Sequence, residues 1–400
     1  MIVWLEAHPS TNFEGVSSVD RPEVIMAPGP TPVPPEVYLA QAQPLVYHRG
    51  PGFGDLLRSV TEDLQKLFKT KNDVLLWSSS GTGGLECAVV NCFSPGDRVV
   101  IPVAGFFGER FVKLATAYGL DVRRVDYEWG QTVVPDDVAA AVAEAPTKGV
   151  LVQQSETSTG VIHDIGAISE VTRGTDTLMV VDCVSSVGAV PFETDEWGID
   201  AAVGGSQKAL SATPGVSFVA ISDKAWAANE TATCPRFYWD WKTYKASYDL
   251  PNPESPFTPP ISVIQGLRAG LDVYFSDPME ANLARHELLA RATKSGMEAM
   301  GLELFGEGRE RAWAVTAIRA PEGLDADTIV DKVRADHGII LAPGQGPLKG
   351  KVFRVGHFGY FDKFDIIRCL AALELTLHDL GYPVEMGSGV AAAELIFAKG

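Results

Sequence analysis

Two side chains that do chemistry as a pair stand 26 positions apart in this chain, Asp182 and Lys208. The run Leu178-Met179-Val180-Val181 reads as a buried strand that delivers Asp182 at its carboxyl end. Open parallel sheets bind their ligands outside that end of the strands. A second short apolar run, Ala201-Ala202-Val203, leads through Gly204-Gly205-Ser206-Gln207 to Lys208. If the two runs are neighbouring strands, a carboxylate and an amine face one crevice. Either residue alone would pass for a surface lysine or a strand-end acid of any α/β protein. The ordered string around them argues for a site.

Pyridoxal phosphate needs this pair, an amine for its Schiff base and a carboxylate that keeps its ring nitrogen protonated so that the ring can accept electrons. Val181-Asp182, Ser185-Ser186-Val187-Gly188, Gly198-Ile199-Asp200 and Gly205-Ser206-Gln207-Lys208-Ala209-Leu210 together resemble the class V aminotransferases of fold type I, in the branch of alanine-glyoxylate, serine-glyoxylate and serine-pyruvate aminotransferases. The spacing of acid and lysine fits that family. The resemblance implies Lys208 as the Schiff-base lysine and Asp182 as the partner of the ring nitrogen.

It extends to residues elsewhere, covering about Val24 to Gly359. Ser78-Ser79-Ser80-Gly81-Thr82-Gly83-Gly84 follows the apolar run Val74-Leu75-Leu76-Trp77 and precedes an apolar helix from Leu85 to Phe93. Strand, glycine-rich turn and helix cradle phosphates, because small residues let the backbone approach and a helix N-terminus favours negative charge. The spacing is neither GxGxxG nor GxxxxGK[ST], and a simple tight turn fits it equally. By resemblance, Ser80, Gly81, Thr82 and Gln207 hold the cofactor phosphate. Phe107, in Gly105-Phe106-Phe107-Gly108-Glu109-Arg110, would stack on the ring, where other members often carry Trp; without the family it reads equally as a core aromatic. Thr157, in Glu156-Thr157-Ser158-Thr159-Gly160, would stand near the ring hydroxyl, or alternatively cap the helix expected from Ile165.

Thr258, in Phe257-Thr258-Pro259-Pro260, matches a threonine that in the family reaches the phosphate from the neighbouring subunit, which implies a homodimer with shared active sites. Some members carry Tyr three residues earlier, where this chain has Ser255. Arg354, in Phe353-Arg354-Val355-Gly356-His357, matches the arginine that pairs with the substrate carboxylate. A guanidinium fork suits that task, since it is bidentate and stays charged. His357 reads as a structural histidine in a glycine-flanked turn, because Lys208 already supplies a proton carrier.

The elements that must position these residues alternate. Strands are expected over Arg98–Val103, Val122–Val125, Val150–Gln153 and Leu178–Asp182, with helices over Phe53–Phe68, Phe107–Tyr118, Asp136–Glu144 and Ile165–Arg173 between them. This alternation predicts an α/β fold with a parallel sheet covered by helices on both faces. The resemblance makes it a fold type I pyridoxal phosphate transferase, with a large domain holding a mostly parallel sheet of the seven-stranded type and a smaller C-terminal α+β domain. Val216–Ile221 is expected as an antiparallel strand at the end of the sheet. Met26 to Pro35 is too rich in proline for a helix and must run extended. The divisions are 1–22 as an N-terminal extension, 23–270 as the large domain, 271–385 as the small domain and 386–400 as a tail without motif.

Composition narrows the partners. The net charge of −18 repels nucleic acid and anionic membranes, so a phosphate site must be made locally from backbone N–H groups. No run approaches the roughly 18 apolar residues of a membrane span. Five cysteines without CxxC spacing give no metal motif, and with no basic, apolar leader at the N-terminus they point to the reducing cytoplasm. The expectation is a transaminase moving an amino group from a small amino acid, such as alanine or serine, to a 2-oxo acid such as glyoxylate or pyruvate. The alternative is a pyridoxal phosphate lyase or aldol-type enzyme on the same scaffold. Cysteine desulfurase is disfavoured, because no Cys lies between Cys234 and Arg354.

Overall fold

The structure is a computed structural model that describes residues 22–399. Apart from Pro22, the expected N-terminal extension lies outside these residues. The seven strands of the main sheet are β1 (Asp73–Ser78), β2 (Arg98–Val103), β3 (Asp121–Asp126), β4 (Gly149–Gln153), β5 (Leu178–Asp182), β6 (Ala201–Gly205) and β7 (Val216–Ile221). Their order across the sheet is β1-β7-β6-β5-β4-β2-β3. All pair parallel except β7, which runs antiparallel to both of its neighbours.

That position corrects the expectation for Val216–Ile221. The strand is antiparallel as predicted, but it sits inside the sheet between β1 and β6 rather than at its end. All six of its residues are buried, so neighbours on both sides satisfy its backbone while both faces are covered. The edge strand β3 is instead polar, and its Arg123 and Arg124 pair with Glu144 and Glu109. Charge on an edge strand discourages pairing with other chains.

Three helices pack beside the site-bearing strands. α1 (Pro51–Phe68) lays Phe53, Leu57, Val60, Leu64, Leu67 and Phe68 into the main core, as its spacing predicts. α2 (Gly81–Cys92) begins four residues earlier than the apolar pattern from Leu85 suggests, so its first turn is Gly-Thr-Gly-Gly. Glycine is a poor helix former, yet here it permits close packing: a Cβ on Gly81 would lie 2.6 Å from Val184 Cγ2. α3 (Phe106–Ala117) follows β2.

The rest of the chain builds a second, separate core around Met26, Leu289, Phe353, Ile366, Leu370 and Leu373. Its sheet is antiparallel, with β8 (Val315–Arg319), β9 (Ala342–Pro343) and β10 (Val352–Gly356) in the order β8-β10-β9. Helices α4 (Met279–Ala299), α5 (Ala326–His337), α6 (Lys363–Asp379) and α7 (Ser388–Phe397) accompany it. Val24–Ile25 also joins this unit, pairing parallel with Ile339–Ile340. The proline-rich segment after Met26 therefore crosses from the second core toward the carboxyl edge of the main sheet, where Thr31 N–H donates to the Gln207 carbonyl (3.1 Å). It turns helical only from Pro35 to Gln41.

Candidate active site

The parallel order of β5 and β6 brings Asp182 and Lys208 to one edge, as the two apolar runs suggest. Asp182 ends β5 opposite Val203 of β6, and Lys208 follows three residues after β6 ends. Asp182 is 7% exposed, and its Oδ1 accepts from the Val184 N–H at 3.0 Å. Burial pushes its pKa up to about 6, against that hydrogen bond and the charges of Arg110 and Lys208.

Lys208 is partly exposed as a residue, but protein atoms enclose its amine. Nζ donates to the Pro28 carbonyl at 2.5 Å, and Thr31 Oγ1 donates to the Lys208 carbonyl at 2.8 Å. Burial lowers the amine's pKa to about 8, opposed by Asp182 and helped by the charges of Arg354 and Arg110. At physiological pH a useful fraction of this lysine is therefore a neutral nucleophile.

Ser80 caps α2 in an extended conformation, and the N–H groups of Gly83 and Gly84 turn back to its carbonyl at 2.9 and 3.3 Å. Among the described residues, the N–H groups of Gly81 and Thr82 find no partner. Thr82 Oγ1 accepts from Arg110 at 2.9 Å. The Gln207 side-chain oxygen is buried without a partner. Because the carboxamide can rotate, either its oxygen or its NH2 can be presented at that point.

Phe107 stands in the first turn of α3, with the Arg110 guanidinium 4.5 Å from its ring centroid. Thr157 is 2% exposed, and its carbonyl accepts from Arg354 Nη1 at 2.9 Å. It does not cap the helix after it. That helix spans only Ile165–Ser169, and Asp164 is its cap, accepting from Ala167 N–H.

Arg354 lies on β10 and is 5% exposed. Its remaining bonds run to the Pro343 carbonyl, from Nη2 at 2.8 Å and Nε at 3.3 Å. Among the described residues no carboxylate lies within ion-pair distance of it. A buried guanidinium held by carbonyl oxygens alone keeps its charge for an incoming anion, although burial depresses its pKa to about 10.

Two residues stand apart from this group. Thr258 is exposed and lines a small cavity with Ser78, Tyr238 and Ser255; it makes no hydrogen bond to the other site residues of its own chain. His357 is fully buried, its ring nitrogens bound to the Trp313 carbonyl (3.1 Å) and Thr316 Oγ1 (2.8 Å), and burial pushes its pKa well below the ordinary imidazole value.

Three neighbours of the amine are absent from the expected site. The Pro28 carbonyl and Gly29 touch Lys208 directly; the proline-rich phrase that holds them resembles the opening of many class V members, but nothing in it points to the lysine. Arg110 closes the string that holds Phe107 with nothing in its spacing to single it out, although it carries a charge felt by both Asp182 and Lys208.

The carboxyl edge of the α/β sheet holds an amine and an acid together, and a guanidinium from the second sheet adds a charge felt by that amine, the arrangement of an enzyme's site. The chain belongs to the class V aminotransferases, whose family model matches residues 35–349. It is 40% identical to a protein named soluble hydrogenase, small subunit, from Synechococcus sp. (strain PCC 6716), over 94% of this chain and 98% of that one. It is 38% identical to L-aspartate–glyoxylate aminotransferase of Paracoccus denitrificans, over 92% of this chain and 95% of that one. Among solved structures, ureidoglycine-glyoxylate aminotransferase from Bacillus subtilis matches with a TM-score of 0.91 at 31% identity, covering 95% of this chain and 99% of that one.

Proposed function

We propose that this chain is a cytoplasmic, homodimeric pyridoxal phosphate aminotransferase that moves an amino group from a small amino acid of the alanine or serine type to glyoxylate or pyruvate. The observation that carries the reading is the enclosed, pKa-lowered amine of Lys208 beside the buried carboxylate of Asp182. The residues fit the cofactor. The open N–H groups of Gly81 and Thr82 suit a phosphate, as does the Gln207 carboxamide, whose unpartnered oxygen can exchange places with its NH2 by rotation. When bound, pyridoxal phosphate supplies an aldehyde and an electron-withdrawing ring that stabilises negative charge at an amino acid's Cα.

Each of the chain's own groups then has a task. Lys208 Nζ is the nucleophile that holds the cofactor and, once released, carries a proton to and from the substrate carbon. The carbonyl of Pro28 gives the free amine a resting place. Asp182 is the anionic partner for the ring nitrogen, and Phe107 gives the ring an apolar wall that excludes water. Thr157 stands near the ring oxygen. Ser80, Gly81, Thr82 and Gln207 hold the phosphate together with Thr258 of a second copy, and Arg354 fixes the substrate carboxylate.

The exposure of Thr258 supports the shared site, as do the exposed apolar residues Phe237 (82%) and Leu250 (46%) of the same region, which suit contact with a second copy. The acceptor follows the likeness to relatives named for glyoxylate. Among the described residues no helix is long and apolar enough to cross a membrane, and all five cysteines are buried and unbridged, which is compatible with a reducing compartment.

The test mixes the purified enzyme with single amino acids and follows conversion of the cofactor to its pyridoxamine form with release of a 2-oxo acid. Borohydride-treated protein should carry the pyridoxyl mass on Lys208, and Lys208→Ala should lose both. Undiminished turnover by Lys208→Ala, or a label on another residue, would sink the reading.

A further inference from the structure

We propose that Glu156 is a positioning residue that holds the Phe107 wall and the Arg354 fork in fixed relation to one another; this rests on the aminotransferase reading. Glu156 follows the end of β4 and is fully buried. Five donors converge on its carboxylate. Oε2 accepts from Phe107 N–H (2.9 Å), Gly108 N–H (3.2 Å) and Gln153 Nε2 (3.0 Å), and Oε1 accepts from Ser158 N–H (3.2 Å) and Ser158 Oγ (2.5 Å). One side chain thus ties the end of β4, the first turn of α3 and the loop after β4 into a single knot.

That first turn has no cap of its own, because its N-cap is Gly105. The loop supplies one from about 50 residues away: Ser158 Oγ accepts the Phe106 N–H at 3.0 Å and Glu156 takes the next two. A carboxylate suits the positive end of a helix. The fit is tight, since a Cβ on residue 105 would lie 2.4 Å from Glu156 Cδ. On the other side, the carbonyl of Thr157, the very next residue, accepts from Arg354.

Charge links the same groups. Glu156 is the acid that favours the charged form of Arg354 against burial, yet it stands beyond ion-pair distance and leaves the fork open to a substrate carboxylate. All five of its partners donate, so the anion is the form the site is built around, although burial raises its pKa.

Glu156→Gln is the discriminating variant. It keeps the volume but turns one acceptor oxygen into an NH2 facing N–H donors. Glu374→Gln is its control, because Glu374 is also a buried carboxylate at the start of a helix, accepting from Gly387, Gly389 and Val390 N–H in the second core. The measurements are thermal melting, the Kd for pyridoxal phosphate from tryptophan fluorescence, and KM and kcat for whichever of L-alanine, L-serine and L-aspartate wild type uses with glyoxylate. Both variants should melt earlier. Glu156→Gln should in addition raise the cofactor Kd and the donor KM about tenfold or more, as misplacement of binding groups does, whereas Glu374→Gln leaves both near wild type.

The proposal is overturned if Glu156→Gln melts early but binds cofactor and donor like wild type, or if the two variants shift these constants equally. Should Glu156→Gln not accumulate as folded protein, Ser158→Ala removes two contacts of the same knot and should shift both constants in the same direction. Unchanged constants in that variant count equally against the proposal. A wild type that binds no pyridoxal phosphate at Lys208 would instead overturn the aminotransferase reading itself.

Discussion

Gly29 is packed directly against Lys208: a Cβ built on residue 29 would lie 2.3 Å from Nζ and 2.8 Å from Cε. Its φ of +133° is a conformation that L side chains rarely adopt. The Pro28 carbonyl that receives the amine is the group just before it. The proline-rich segment is therefore one wall of the lysine's chamber, which its composition alone would class as a linker.

Gly29→Ala should for this reason injure the site more than the fold. The methyl group and the strained φ cost on the order of 1–3 kcal/mol, which must be relieved by moving the segment or the lysine. The expected result is a melting temperature lowered by a few degrees and a pyridoxyl label at Lys208 reduced by about tenfold. Labelling at the wild-type level would mean that residue 29 does not bound the chamber.

The lowered pKa of Lys208 predicts a pH dependence. Only the neutral amine attacks an aldehyde, and the neutral form gains population as pH rises through the folded-state pKa of about 8. Attachment of pyridoxal phosphate to the stripped protein should accelerate between about pH 7 and 8 and level off above about 9, rather than keep rising toward the ordinary lysine value near 10.4. Stopped-flow absorbance across that range checks it; a rate still climbing at pH 10 would contradict an enclosed, depressed amine.

Arg354→Lys tests the fork. An ammonium keeps the charge but cannot reach the Thr157 and Pro343 carbonyls and still present two parallel donors to a carboxylate. Loss of one charge-assisted hydrogen bond is worth about 1.5–3 kcal/mol, so KM for amino donor and for 2-oxo acid should both rise about 10- to 100-fold, with kcat changed less. Steady-state kinetics over both substrates decide it, and an unchanged KM would remove Arg354 from the carboxylate site.

How much of this is legible in the sequence depends on whether the signal is local. The apolar runs of β5 and β6 read as buried strands, but their adjacency is only a condition in the sequence, since no helix separates them and the pairing is seen in the strand order alone. Arg354 stands out only because its string resembles a family; an isolated arginine in a strand carries no address. The apolar pattern misplaces the start of α2 because Gly-Thr-Gly-Gly has low helix propensity, and contact with Val184 outweighs it. The interior position of β7 is a property of strand order, which hydrophobic period does not encode. Glu156 is invisible as a cap because its donors in α3 are about 50 residues away.

Residues 386–399 illustrate the same limit. They carry no motif, yet α7 lies along α4 and α6, with Ala393 fully buried and Val390, Ile396 and Phe397 packed on the second core. Gly296 of α4 allows the approach, since a Cβ there would lie 3.0 Å from the Gly389 carbonyl. Deleting residues 386–400 would expose this apolar surface and leave the buried Glu374 carboxylate without its three N–H donors. Water can replace those donors at the uncovered carboxylate, so the main loss is the apolar burial, about 25 cal/mol per Å² newly exposed. The truncated protein should melt several degrees or more below wild type. At 25 °C, whatever remains folded should keep its KM values, because none of the deleted residues reaches Lys208, Asp182 or Arg354. Calorimetry and steady-state kinetics on the same preparation separate the two effects; a melting temperature equal to wild type would make α7 an ornament of the fold rather than part of its core.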